Sequence, residues 1–89
     1  MLFIFDYKSI PDFWMKGMKF PLDIIWINDN IIVDVDENIQ NPKSLSNLNQ
    51  LPKYSPSIPI NFVLEVNAGF CSKEGIKIGD RVQMNLNNN

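Results

Sequence analysis

The sequence predicts a mostly β domain: a small rolled sheet or barrel of five to six short strands with one short helix at its margin. Three observations carry this expectation. Ile24 to Val35 holds two β-branched-rich runs on either side of Asp29-Asn30, residue types that tolerate positive φ in a two-residue hairpin turn. Ile60 to Val66 reads as a strong strand, with Ile60, Phe62, Leu64 and Val66 on one face and Asn61, Val63, Glu65 and Asn67 on the other. Only Phe70 to Glu74 reads as a helix, and Gly75 stops it, glycine being the usual residue just past a helix end.

The remaining elements follow in order. Leu2 to Phe5 is a short buried strand or the end of a longer one, and Asp6 to Asp12, with Pro11, is a turn region. Phe13 to Met18 alternates with both faces largely apolar, as in a strand covered on both sides. In the Ile24–Val35 hairpin a two-residue loop sets Trp26 opposite Val33 and Ile24 opposite Val35 on an apolar face. Ile25 then opposes Asp34, Ile27 opposes Ile32, and Asp23 opposes Asp36. Residues 36–59 form a long irregular stretch with Pro42, Pro52, Pro56 and Pro59, in which Leu45, Leu48 and Leu51, spaced by three, either make one weak helical turn or, the favoured reading, tack the loop onto the core. Gly79-Asp80 is a turn leading to a last strand through Val82, Met84 and Leu86, and residues 87–89 are a frayed tail.

Composition bounds the chemistry. At 89 residues the chain makes one small domain. A domain of this size buries roughly 60% of its unfolded surface and is only marginally stable. Eight Lys+Arg against ten Asp+Glu leave a net charge of −2, and no Lys/Arg run supplies the footprint of a nucleic-acid binder. With no His, the commonest general base and transition-metal ligand is missing, and Ser-His or Cys-His nucleophilic sites cannot form within one chain. Cys71 is the only cysteine, so there is no internal disulfide and no Cys-based zinc site. The opening Met-Leu-Phe-Ile-Phe lacks a basic leader and stops at Asp6, and no apolar run approaches the ~18 residues that suggest a membrane span. As it stands the sequence reads as a soluble cytoplasmic domain, and as an exported one if a leader precedes it.

Several short pieces work together as a signature: Phe13-Trp14-Met15-Lys16, then Pro21-Leu22-Asp23-Ile24-Ile25-Trp26-Ile27, then Tyr54-Ser55-Pro56, then Val63 to Gly69, and last Gly75 to Val82. In this order, over almost the whole chain, they resemble the DUF192 (UPF0127) family of uncharacterised small prokaryotic domains. The resemblance implies one domain over residues 1–86 and no activity, since none is established for the family. Two departures stand out. The family usually begins upstream, with a strand and an Arg/Gly-Leu-Met segment, whereas this sequence begins at Met1-Leu2-Phe3; and Gly17 stands where Asn is common.

The candidate binding residues are Trp14, Lys16, Glu65, Asn67 and Tyr54. Glu65 and Asn67 share a strand face, and a carboxylate within so apolar a strand requires a specific partner, for which Lys16 is the expectation. Asn67 has an alternative role as a helix cap for Phe70 onward through its side-chain oxygen. Trp14 and Trp26 are either ligand platforms or core, with Trp26 the more core-like. Tyr54, beside Pro56 and Pro59, is a lid or a core plug. Asp23 and Glu65 are the one pair that would serve as acid and base in a carboxylate-only hydrolase, which requires them on one side of the sheet. Asp23 alternatively fixes its own turn through backbone bonds. No metal and no cofactor is expected. Asp34 and Asp36, with Glu37, form the densest acidic cluster, read either as a solvated hairpin end or as oxygen ligands for Ca²⁺ or Mg²⁺.

From these residues the leading expectation is a non-enzymatic module with a polar-aromatic face that binds a small molecule or a protein, without nucleic-acid or membrane contact. The alternatives are the carboxylate-dependent hydrolase and a minimal structural domain completed by a partner strand, including homo-oligomerisation through an exposed strand edge.

Overall fold

The computed structural model describes residues 1–14, 20–40 and 53–83. The described elements are β1 (Leu2–Ser9), β2 (Phe13–Trp14), β3 (Leu22–Asn28), β4 (Ile31–Ile39), β5 (Lys53–Tyr54), β6 (Ile60–Asn67) and α1 (Phe70–Glu74). Expectations for Met15 to Met18, the leucines at 45, 48 and 51, and Met84 onward lie outside the described residues.

Four strands make one antiparallel sheet in the order β1-β6-β3-β4, and β2 pairs with β5 in a separate two-stranded ribbon. Among the described residues the sheet is open and does not close into a barrel. Central β3 explains the near-continuous apolar run Ile24-Ile25-Trp26-Ile27, for all four residues are buried. A strand covered on both faces needs no polar alternation. On one face Ile24, Trp26, Ile39, Ile60 and Val63 form a core that receives Phe3, Phe5, Phe13 and Tyr54. The ribbon closes this side, with Phe13 edge-on to both Phe3 at 5.2 Å and Trp26 at 5.3 Å between ring centroids. On the other face Ile25, Ile27, Ile32 and Cys71 form a second core joined by Phe62, Leu64, Val66, Ile76 and Val82.

The hairpin between β3 and β4 keeps its expected turn but not its expected register. Asn28 opposes Ile31 and Ile27 opposes Ile32, as a two-residue loop requires, with Asp29 at φ 57°. A bulge then inserts Val33, so Trp26 opposes Asp34, Ile25 opposes Val35 and Ile24 opposes Asp36. The physical reason is that Val33 packs into the Trp26 core as an extra residue. This corrects the Trp26–Val33, Ile24–Val35, Ile25–Asp34 and Asp23–Asp36 pairings: Asp34 and Asp36 stand on the Trp26 face. A second irregularity lies between Ile24 and Leu22, which opposes Ile39, and Asn38 there adopts φ 54°.

β1 also differs from expectation. It is an edge strand with Leu2 and Ile4 exposed, not a buried one, because nothing among the described residues covers its outer side. It continues through Asp6 to Ser9, where a turn region was expected, but its pairing with β6 shifts between Ile4 and Ser9. The helix is where the sequence places it, with Gly75 at φ 67° returning its N–H to carbonyls of the last turn. Beyond it, Lys77 to Asp80 turns back, and Asp80 Oδ2 accepts the Lys77 N–H at 2.8 Å. The segment then lies along β4 through Ile32 N–H to Asp80 O at 2.9 Å and Val82 N–H to Asn30 O at 2.7 Å.

Candidate functional site

The site grows from one buried carboxylate. Asp23 is the second residue of β3 and is 0% exposed. Register places it opposite Val66, on the face of Ile25 and Cys71. Ionised carboxylates are expensive to bury unless several donors converge on them. Here three backbone N–H groups do. Asn38 donates to Oδ1 at 2.8 Å, and Gly69 and Cys71 both donate to Oδ2 at 3.1 Å. The first fixes the bulge of β4; the other two satisfy amides at the start of α1 that no residue of the helix itself can satisfy. The residue at the head of α1 is Gly69, at φ 94°, which has no side chain to cap with. Asp23 therefore replaces the local cap from 46 and 48 residues away in sequence. This corrects the reading of Asn67 as the cap and of Asp23 as a clamp on its own turn.

Around this carboxylate the ends of β3, β4 and β6 leave a groove. One part, about 400 Å³, is lined by Pro21, Asp23, Glu37, Asn38, Ala68, Gly69 and Ser72. The adjoining part, about 320 Å³, shares Pro21 and Ala68 and adds Phe20 and Asn67. The Ala68 N–H donates to Pro21 O at 3.1 Å, so the groove floor is one hydrogen-bonded unit. Phe20 stands 69% exposed beside it, an aromatic wall facing solvent.

Cys71 lies behind the groove, fully buried. Burial, the Asp23 charge and hydrogen bond beside it, and the Glu37 charge push its thiol up to about 12. It is therefore a neutral, weakly reactive thiol and no nucleophile at ordinary pH. Asp23, Glu37 and Cys71 bring their oxygen and sulfur atoms within 4.8 Å of one another, the one grouping among the described residues that could surround a cation. Both Asp23 oxygens, however, are already committed to backbone amides.

The residues singled out from the sequence fall in different places. Asn67 lines the groove. Glu65 does not: it opposes Ile24, on the face of the sheet opposite Asp23, and sits two residues back along β6 from Asn67, which shares that face but reaches the groove at the strand end. The structure thus does not bring Asp23 and Glu65 together as an acid–base pair. Burial raises the Glu65 carboxyl above its usual value, against a smaller lowering by the Met1 ammonium, which donates to the Glu65 carbonyl at 2.6 Å. Tyr54 packs against the Trp26 core, in the position of a plug. The backbone of Trp14 pairs with Lys53, while Lys16 lies outside the described residues. Asp34 and Asp36 are occupied separately: Asp34 accepts the N–H groups of Val35 and Ser57 at 2.9 Å each, and Asp36 accepts the Trp26 indole N–H at 2.9 Å. Asn38, Ser72 and Phe20 were not legible as site residues, and Glu37 was singled out only beside Asp34 and Asp36, whereas the structure groups it with Asp23 and Cys71; the positive φ of Asn38 belongs to a bulge that no local sequence pattern announces.

No curated protein matches the sequence. Two solved structures are similar. A protein of unknown function from Novosphingobium aromaticivorans is 28% identical with a TM-score of 0.80, over 94% of this chain and 56% of that one. A putative transcription regulator from Sinorhizobium meliloti is 31% identical with a TM-score of 0.76, over 91% of this chain and 58% of that one. The chain thus spans a little over half the length of each. A family model described as DUF192, "Uncharacterized ACR, COG1430", matches residues 1–84. That match takes in the buried Asp23, the strand from Val63 to Asn67 and the helix it leads into, and the chain belongs to the DUF192 family.

Proposed function

We propose that this domain is a non-catalytic binding module whose site is the groove over Pro21 and Ala68. The observation that supports this reading is the pair of adjoining cavities built on that floor, held open by the Asp23 hydrogen bonds to Asn38, Gly69 and Cys71. The lining suits a small molecule or peptide segment. Pro21, Ala68 and Phe20 offer apolar contact, and Asn67, Glu37 and Ser72 offer polar groups at the rim. The nearest groups to a reactive centre are unsuited to catalysis: the Cys71 thiol is held protonated, and Asp23 and Glu65 lie on opposite faces. The transcription-regulator name of one relative gains no support here from charge, because acidic residues outnumber basic ones, ten to eight.

The test is a thermal-shift screen of sugars, nucleotides and short peptides, run in parallel on the wild type and on Ala68→Trp, which fills the groove floor. A ligand that raises the wild-type Tm and leaves the variant's unchanged supports the assignment. Ligands that stabilise both proteins equally, or no stabilising ligand in any class, overturn it.

A further inference from the structure

The free edge of the sheet carries its own complement. β1 ends the order β1-β6-β3-β4, and among the described residues no strand lies on its outer side. Ile4, Tyr7 and Ile10 are 57, 78 and 52% exposed along it, unusual for large apolar side chains on an edge. Between Ile4 and Ser9 the ladder with β6 is interrupted, so Phe5 to Lys8 have no cross-strand partner in β6. A concavity of about 430 Å³ is lined there by Ile4, Phe5, Asp6, Tyr7 and Ser9.

Natural edges are often guarded by a charge, and like charges keep two copies apart. This edge carries one charge of each sign, Asp6 and Lys8, on either side of Tyr7. The segment Ile4-Phe5-Asp6-Tyr7-Lys8-Ser9-Ile10 laid antiparallel on itself about Tyr7 sets Asp6 against Lys8 of the second copy, twice by symmetry. The same register sets Ile4 against Ile10 and Tyr7 against Tyr7. Moving the axis to Asp6 or Lys8 brings identical charges face to face; moving it between Asp6 and Tyr7 sets both charges against aromatics, and between Tyr7 and Lys8 sets Lys8 against Tyr7 and Asp6 against Ser9, so neither charge meets its opposite. Opposite charges directly across strands stabilise and like charges destabilise.

We propose that β1 is a self-recognition edge, and that two copies of this chain pair antiparallel about a two-fold axis through Tyr7. The pairing satisfies backbone groups of Phe5 to Lys8 and covers the exposed Tyr7, as an isologous interface requires. Lys8 already lies 3.1 Å from Asp29 Oδ2, with both side chains exposed. An ammonium has three donors, so Lys8 can keep that contact and still meet Asp6 of the second copy.

The experiment is sedimentation equilibrium on the full chain from micromolar to millimolar concentration. It compares wild type, Asp6→Lys, Lys8→Asp and the double exchange Asp6→Lys/Lys8→Asp, with circular dichroism checking each fold. The expected result is a concentration-dependent wild-type dimer, weakened about tenfold or more by each single substitution. The double exchange should restore it. A wild type monomeric throughout, a dimer indifferent to the single substitutions, or a double exchange no better than the singles overturns the proposal. Should a variant fail to fold, wild-type amide exchange decides. Protection of Asp6 to Lys8 that grows with protein concentration supports the edge, and protection independent of concentration refutes it.

Discussion

Replacing Asp23 with Ala should cost this domain most of its stability. The substitution removes both oxygens at once and orphans the N–H groups of Asn38, Gly69 and Cys71. Hydrogen bonds to a charged acceptor contribute about 1.5 kcal/mol or more each, and a buried donor left unpaired costs a further ~1–3 kcal/mol. Some relief comes from water, because the groove opens beside two of the three amides. The expected loss is therefore ~4 kcal/mol. At ~0.05–0.15 kcal/mol per residue a chain of this length has a total stability on the order of 4–13 kcal/mol, so the variant sits at the edge of folding. Asp23→Asn retains one carbonyl oxygen but turns an amide toward N–H donors, and should lose about half as much. The assay is urea unfolding followed by tryptophan fluorescence, to which the fully buried Trp26 contributes. A loss below about 1 kcal/mol for Asp23→Ala, the size of an ordinary exposed cap, would refute the argument that one carboxylate joins β3, β4 and α1.

Other consequences follow from the same geometry. The Cys71 thiol, raised from 9.0 to about 12, ionises in the unfolded chain before it does so in the fold. Stability should therefore fall as pH rises from 9 toward 12, a decline that Cys71→Ala removes, and native thiol labelling at pH 8 should be far slower than in urea. Glu65 is likewise raised above 4.5, so the native state binds its proton more tightly than the unfolded state does. Stability should decline as pH rises through that raised value, and chemical denaturation of Glu65→Gln across the acid range should show a flatter profile. Gly75 holds φ 67° with open space where a Cβ would sit, so Gly75→Ala should cost about 1 kcal/mol from backbone strain alone, measured by urea midpoint.

Local patterns were legible where local physics decides. The Asp29-Asn30 turn, the strand from Ile60 to Val66 and the helix from Phe70 to Glu74 with its terminal glycine all follow from short-range rules, and the structure has each, although Ile60 packs with Val63 in the Trp26 core and not on the face of Phe62, Leu64 and Val66. The register of β4 was not, because a bulge depends on where Val33 packs and not on its neighbours in sequence. The same holds for Asp23. Its motif marks it within Pro21-Leu22-Asp23, but its partners lie in two other elements, and only the assembled sheet brings their amides together. Glu65 shows the reverse error. A carboxylate in an apolar strand invites a functional reading, yet the pleat turns it away from Asp23, and its place along β6 keeps it out of the groove that Asn67 lines. Asn38 carries no pattern at all, and Glu37 only that of the acidic cluster with Asp34 and Asp36; the second irregularity of β4 delivers both to the groove wall.

The most direct test of the groove is an NMR fragment screen on the isotopically labelled chain, with every amide reporting. Binding fragments should move the amides of Asn67 to Ser72 and of Asn38 together, since Asp23 ties them into one unit. Fragments that bind only elsewhere, and leave Gly69 and Cys71 unmoved, would contradict it.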